Sequence, residues 1–143
     1  MKVVVNKCYG GFGISELAEV EYAKLCGFDL FRYEQVKFKY SDGCVLYKKI
    51  DPLQKAKGLC SFTFKKDYGD SFSEFPDGED NGYFYGRNIY RSDPNLVKII
   101  ESLGEKANGY CAELVVVEIP DGVEYEISEY DGFESIHEVH RSW

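Results

Sequence analysis

The sequence lacks two features that would place a chain of 143 residues in a membrane or on nucleic acid. No apolar run approaches the ~20 residues that a membrane-spanning helix needs. Basic residues are also in deficit, since 17 Lys and Arg stand against 25 Asp and Glu, a net charge of −8. General nucleic-acid binding requires a basic surface and is therefore not expected. A small anionic ligand is still compatible with this charge, because a pocket with local positive charge can bind an anion although the protein as a whole is negative.

Cysteine motifs are missing as well, and no signal peptide is expected. The five cysteines at positions 8, 26, 44, 60 and 111 form an odd number and contain no C-x-x-C pair. This pattern predicts reduced, mostly buried thiols in a cytoplasmic protein rather than a disulfide framework.

The standard metal motifs are incomplete. His137 and His140 are the only histidines, and their spacing of three differs from the spacing of four in H-E-x-x-H. DGEDNG resembles the start of a calcium loop, but its twelfth position is Asn88 instead of glutamate. No metal or cofactor is expected, and a general acid–base role for either histidine stays open.

Hydrophobic patterning predicts a single α+β domain over residues 1–143, with a mainly antiparallel sheet and two packed helices. Strands are expected at 2–6 and 61–65, and 82–90 is expected to be a strand that leads into a polar corner. A buried central strand is expected at 114–119, with hairpins around Asp42-Gly43 and Asp131-Gly132, although Ser135 to Arg141 could also be helical. Helix one is expected from Ser15 to about Leu25, and its apolar face is expected to comprise Ile14, Leu17, Ala18 and Leu25.

Helix two has the clearest signals in the chain. Asp93 is a good N-cap, Pro94 suits the first helical position, and Gly104 suits the end. The stretch at about 66–82 is acidic and rich in turn residues, and we interpret it as a variable exposed loop. Aromatic residues reach 16%, which fits either a β-rich core or a pocket with aromatic walls.

The first strand runs into a loop that contains Gly10, Gly11 and Gly13. No lysine follows as in a Walker loop, and Glu16 stands where a dinucleotide-binding loop has its third glycine. The loop is therefore either a structural turn or a ligand-contacting loop. In the second case Lys7, Tyr9 and Phe12 would flank the ligand, and the glycines would let backbone amides approach a phosphate.

A second group of candidate residues precedes helix two. Arg87, Asn88 and Arg91 could clamp a pyrophosphate near the helix start, and we expect these loop arginines to contribute little to the core. The alternative is surface ion pairing with the acidic loop. At the end of the chain, Arg141 and Trp143 are candidates for phosphate and base contacts, although a terminal Trp can also cap a core.

Three blocks of the sequence together resemble a widespread family of small, largely uncharacterised bacteriophage proteins. They are KVVVNKCYGGFGIS at the start, RSDPNLVKIIESLGEKANG in the second half, and VVEIPDGVEYEISEYDGFESIHEVHRSW at the end. The resemblance implies a phage setting, in which small proteins often act against host defence. Some of these, of the Thoeris anti-defence, Sequestin and Lockin kinds, bind ADP-ribose-derived signals made by TIR-domain enzymes.

By this analogy the chain is expected to be a cytoplasmic binding protein of the infected host. It would sequester a nucleotide-derived immune signal of the ADP-ribose or cyclic ADP-ribose type, as a homo-oligomer and without a catalytic residue. Two alternatives stay open: an enzyme that degrades such a signal, and an acidic protein–protein inhibitor of a host factor.

Overall fold

The computed structural model describes residues 1–37, 45–54 and 60–139. Within these residues the chain forms two α-helices and nine strands, and every strand pair is antiparallel. The predicted α+β class is thereby confirmed. The strands are divided among three sheets, with the orders β1-β7, β5-β3-β2-β4-β6 and β8-β9. The chain forms two compact units, Met1–Tyr22 with Gly86–Trp143 and Ala23–Tyr85.

The elements have the following bounds. The helices are α1 (Glu16–Cys26) and α2 (Pro94–Leu103). The strands are β1 (Lys2–Asn6), β2 (Phe31–Lys37), β3 (Leu46–Ile50), β4 (Ser61–Phe64), β5 (Ser71–Phe72), β6 (Tyr83–Phe84), β7 (Leu114–Glu118), β8 (Tyr125–Tyr130) and β9 (Phe133–Glu138). No helix in the described ranges is long and apolar enough to cross a bilayer.

Strand β1 is the most buried element of the first unit. Its residues from Val3 to Asn6 are fully buried, and Val3 pairs with Val117 while Asn6 pairs with Leu114. The prediction of a buried central strand at 114–119 is wrong. Among the described strands β7 pairs with β1 alone, which leaves Val115 at the open edge with 38% of its surface exposed.

Helix α2 has the predicted caps. The carboxylate of Asp93 accepts hydrogen bonds from the backbone N–H groups of Asn95 at 2.8 Å and Leu96 at 3.4 Å. Gly104 follows the helix with a φ of +58°, a conformation that glycine adopts without strain. Leu96, Ile99 and Ile100 are buried as the spacing predicts.

Helix α1 begins and ends as predicted, and Ile14 and Ala18 of its predicted apolar face are buried. The Ser15 hydroxyl accepts a hydrogen bond from the Ala18 N–H at 3.1 Å, and Gly27 follows the helix with a φ of +87°. Ala18, Tyr22 and Ala23 are buried, whereas Leu25 is exposed in the last turn. The predicted apolar face therefore extended too far along the helix.

The second unit is built on the aromatic face of its five-stranded sheet. Tyr33, Tyr47 and Phe64 form the buried centre. The 66–82 stretch contributes to this core, because three of its aromatic side chains pack against the centre, namely Tyr68, Phe72 and Phe75. The stretch also contains β5, so it is an exposed acidic loop only on its outer side.

The two predicted hairpins differ in what the structure describes. The β8–β9 hairpin is confirmed, with Asp131 at φ +50° and Gly132 at φ +88°, the positive values that a type I′ turn needs. Strands β2 and β3 pair as predicted, but the turn at Asp42-Gly43 lies outside the described residues.

Candidate functional site

The glycine loop of the first unit is held by the side chain of Asn6, at the end of β1. The Asn6 amide nitrogen donates to the carbonyls of Cys8 and Gly132, both at 2.8 Å, and its amide oxygen accepts from the Glu113 N–H at 2.8 Å. One fully buried side chain therefore joins the glycine loop, the β8–β9 turn and the segment before β7. Sequence reasoning missed this residue. Its only signal is a polar residue that ends an apolar strand.

Arg91 and Glu134 form a two-point ion pair beside this residue. The Arg91 Nη1 lies 2.6 Å from Glu134 Oε1, and its Nη2 lies 2.9 Å from Oε2. Glu134 Oε1 also accepts the backbone N–H of Asn6 at 2.8 Å. The Arg91 guanidinium carbon lies 3.4 Å from the ring centroid of Phe12, which is buried. Arg91 and Phe12 are thus engaged inside the protein, and a phosphate would have to displace Glu134 to reach this arginine.

Two of the glycine positions are explained by backbone packing. A Cβ added to Gly10 would lie 1.9 Å from the Cys111 carbonyl oxygen, and one added to Gly109 would lie 2.7 Å from the Gly13 carbonyl carbon. Real Cβ atoms do not approach other atoms so closely. The loop therefore meets the 109–111 turn backbone to backbone, which supports the structural-turn interpretation for Gly10.

The other side of the loop meets the β8–β9 turn. A Cβ added to Gly132 would lie 2.5 Å from the Gly11 nitrogen and 2.9 Å from the Tyr9 carbonyl oxygen. A Cβ added to Gly11 itself would meet no atom within 4 Å, and the φ of Gly11 is +91°. Glycine is favoured at position 11 by its backbone conformation and at position 132 by close contact.

Exposed aromatic rings surround this junction. Tyr9 is 66% exposed, and its ring centroid lies 5.5 Å from that of Phe133. The Lys7 ammonium donates to the Glu134 carbonyl at 2.9 Å and lies 5.1 Å from the centroid of the Phe133 ring. Tyr130 is the cross-strand partner of Phe133 and is 79% exposed. We name Lys7, Tyr9, Tyr130 and Phe133 the Tyr9 surface.

The outer face of the β8–β9 ribbon continues this surface. Ser135 and His137 alternate with Glu134 along β9, so they share the face of Phe133. The Ser135 hydroxyl lies 3.3 Å from His137 Nε2, and Glu126 is the cross-strand partner of His137. Among the described residues no group of three potential metal ligands occurs.

The remaining predicted residues are not brought to the Tyr9 surface by any described contact. Arg87 and Asn88 are exposed on a single 3-10 turn, Gly86–Asn88. The start of α2, predicted to receive a phosphate, already holds the carboxylate of Asp93. His140, Arg141 and Trp143 lie outside the described residues.

A cleft of about 650 Å³ lies along α2 in the same unit. It is lined by Met1, Lys2, Ser92, Pro94, Val97, Lys98, Glu101 and Ser102, none of which was predicted as a site residue. The Lys2 ammonium forms an ion pair with Glu101 at 3.1 Å at this cleft.

The second unit contains a polar cluster, formed by Tyr33, Lys49 and Asp67, whose pKa values are shifted. The Lys49 ammonium lies 2.5 Å from Asp67 Oδ1, and this hydrogen bond lowers the pKa of Asp67 and raises the pKa of Lys49. Burial raises the pKa of the Tyr33 phenol. The Tyr33 hydroxyl accepts the Tyr68 N–H and donates to the Gly69 carbonyl, so these groups anchor the 66–82 stretch.

Comparison with protein-family models, with curated proteins and with solved structures finds no match for the chain.

Proposed function

We propose that the chain is a phage-encoded binding protein that sequesters a nucleotide-derived immune signal in the cytoplasm of the infected host. The signal is of the ADP-ribose or cyclic ADP-ribose type, and its capture inhibits host anti-phage defence. The observation that carries the proposal is the Tyr9 surface, where exposed aromatic rings and a lysine ammonium stand around the glycine loop. Such rings can stack on a base, and the cation can attract a phosphate.

The ligand's base stacks on Tyr9 and Tyr130 in this proposal. Its phosphates face the Lys7 ammonium and the open side of Gly11, where an added Cβ would meet no atom within 4 Å. Arg87, Asn88, Arg141 and Trp143 stay predicted ligand contacts.

Arg91 has a different role in the proposal from the one that its sequence position suggested. Its guanidinium neutralises Glu134, whose other contacts hold Asn6 and, through the backbone carbonyl, Lys7. Arg91 is therefore a positioning residue beneath the ligand surface.

We also propose that the site lies between two copies of the chain. A ring stacked on exposed tyrosines of one subunit keeps its second face in water, and a second copy would cover that face. Two-fold association is the commonest symmetric solution. Light scattering should give a mass of about twice the 16.4 kDa of one chain, and 16.4 kDa at all concentrations would contradict this part of the proposal.

The function is tested by ligand recovery. The purified protein is incubated with ADP-ribose or cyclic ADP-ribose, separated from free nucleotide, heated, and its released nucleotide is analysed by mass spectrometry. Recovery of the intact nucleotide supports sequestration. A changed mass would support the enzyme alternative, for which His137 and Ser135 offer a hydrogen-bonded pair. Absence of bound nucleotide would contradict the proposal.

The acidic-inhibitor alternative also has a structural observation in its favour. The aromatic residues of the 66–82 stretch pack against the sheet, while six of its carboxylates are exposed. The carboxylates belong to Asp67, Asp70, Glu74, Asp77, Glu79 and Asp80. A protein that binds no nucleotide but captures a basic host factor, and loses it when these residues are neutralised, would fit this alternative.

A further inference from the structure

Two thiol-bearing residues that are far apart in the sequence meet at the glycine loop. The Cys8 sulfur lies 2.6 Å from the Cys111 carbonyl oxygen. Beyond the last β1–β7 pair, the Lys7 N–H still donates to the Glu113 carbonyl at 2.8 Å, so the two chain segments continue side by side to these cysteines. The contact therefore belongs to the end of a regular strand pair.

The backbone of Cys111 is held in an uncommon conformation. Its φ is +61°, in the left-handed region that residues other than glycine rarely adopt. The turn is closed by the Ala112 N–H, which donates to the Gly109 carbonyl at 3.0 Å. The absent Cβ of Gly10 would lie 2.3 Å from the Cys111 Cβ, so the Cys111 side chain starts directly beside the glycine loop.

The expectation of mostly buried thiols is wrong for the described cysteines, none of which is fully buried. The two thiols at this site differ in accessibility. Cys111 is exposed, whereas Cys8 is partly buried and has its sulfur 3.4 Å from the Asn6 amide oxygen. An exposed thiol reacts first with an oxidant from solution, and a neighbouring thiol can then resolve the product.

We propose that Cys8 and Cys111 form an oxidation-sensitive site. When a hydroperoxide oxidises this site, the two cysteines form an intramolecular disulfide. The Cys111 thiol gives up its proton as its sulfur attacks hydrogen peroxide, and the O–O bond breaks. Cys111 becomes a sulfenic acid, and the released hydroxide takes that proton and leaves as water. The Cys8 thiol then gives up its proton as its sulfur attacks the Cys111 sulfur, the S–S bond forms and the S–O bond breaks. The departing hydroxide takes that proton and leaves as a second water. In total two thiols lose two electrons and two protons, and one hydrogen peroxide is reduced to two waters.

The disulfide would fix the glycine loop to the 109–111 turn. On the proposed function this fixes the backbone beside Tyr9, so oxidation regulates ligand binding at the same surface. The reduced protein is the form expected in an unstressed cytoplasm, which agrees with the thiol state that the sequence predicts.

The test uses a full-length variant with Cys26, Cys44 and Cys60 changed to serine, so that only the proposed pair is left. Treatment with stoichiometric hydrogen peroxide should lower its intact mass by two hydrogen atoms, and dithiothreitol should reverse the change. The matched control adds Cys111→Ser and should show no such loss. A variant that gains oxygen atoms, or links only between chains, would overturn the proposal.

Wild-type protein provides a second measurement that does not depend on the folding of the variant. Tryptic mapping after peroxide treatment should recover the Cys8 and Cys111 peptides joined, in preference to any pair that includes Cys26 or Cys60. Another dominant pairing would overturn the proposal. ADP-ribose binding to the oxidised and reduced forms is then compared. A linked pair in a protein that binds no ADP-ribose would leave the disulfide site standing and contradict the proposed function alone.

Discussion

Arg91 and Glu134 are joined by two hydrogen bonds, at 2.6 and 2.9 Å, directly beneath the glycine loop. The same Glu134 oxygen that faces Arg91 Nη1 also accepts the Asn6 N–H. One carboxylate therefore couples β9, β1 and the segment before α2. The expectation that Arg91 contributes little to the core is not met, because its guanidinium lies over the buried ring of Phe12.

Arg91→Ala should destabilise the protein strongly. Glu134 is buried, and removing one partner of a buried ion pair typically costs about 3–5 kcal/mol because the other charge stays uncompensated. Urea unfolding followed by circular dichroism measures the free energy of unfolding. Arg87→Ala is the matched control, since this exposed arginine should change stability by less than about 0.5 kcal/mol. Equal stability of the two variants would show that the ion pair contributes nothing.

Alanine substitutions in the glycine loop should show which glycine is required by close packing, through their different effects on stability. Gly10→Ala places a Cβ 1.9 Å from the Cys111 carbonyl oxygen, so the two turns must move apart. The free energy of unfolding should fall by roughly 1–3 kcal/mol, as for other overpacked sites. Gly13→Ala, in the same loop, meets its nearest atom at 4.0 Å and should be tolerated. Thermal unfolding of both variants checks this, and the reverse order of stability would contradict the described loop packing.

Local signals predicted the parts of the fold that depend on local chemistry. Asp93 and Gly104 bound α2 because capping and a positive φ need only neighbouring residues. The Asp131-Gly132 turn followed for the same reason. The edge position of β7 could not be predicted, since an apolar run looks alike whether one or two strands flank it.

The centre of the candidate site depends on contacts between distant residues. Asn6 bonds to Gly132, 126 positions away, and Arg91 pairs with Glu134 across 43 positions. A single sequence contains no sign of such pairs. The glycines were identified as important, but their partners, which include Cys111 and Gly109, became visible only in the packing of the loops.

The hydroxyl of Tyr33 should contribute to the stability of the protein, although its ring lies in an aromatic core. It accepts the Tyr68 N–H at 2.9 Å and donates to the Gly69 carbonyl at 2.8 Å, and Tyr33→Phe leaves both groups without these bonds. The free energy of unfolding should fall by about 1–3 kcal/mol. Tyr47→Phe is the control in the same aromatic core, because its hydroxyl makes no hydrogen bond within the described residues. Chemical denaturation that finds equal losses would contradict this assignment.

The Lys49–Asp67 pair should give the stability of the protein a component that is lost in acid. Because the folded pKa of Asp67 is lowered, its contribution is complete above the ordinary Asp pKa of about 3.9 and is lost as the pH falls through the folded value. Wild type and Asp67→Asn should therefore differ most near neutral pH and converge in acid. Unfolding curves collected between about pH 2 and 7 check this. A difference that stays constant down to the acid end would contradict the prediction.

The proposed stacking predicts a selective loss of affinity in Tyr9→Ala. Removing one aromatic platform for a base costs about 1–3 kcal/mol, so the dissociation constant for ADP-ribose should rise roughly 5- to 150-fold. Tyr90→Ala is the control, since this tyrosine is also highly exposed but shares no ring contact with the Tyr9 surface in the described ranges. Calorimetric titration gives both constants. A similar loss in both variants would argue against a site at Tyr9.

The most direct test of the central claim is an NMR titration of the ¹⁵N-labelled wild-type protein with ADP-ribose. The account predicts saturable shifts of the backbone amides of Lys7, Tyr9, Gly11, Tyr130 and Phe133, with small changes along the α2 cleft and in the 66–82 stretch. Shifts confined to the cleft at Lys2 and Lys98, or a spectrum that ADP-ribose leaves unchanged at millimolar concentration, would contradict it.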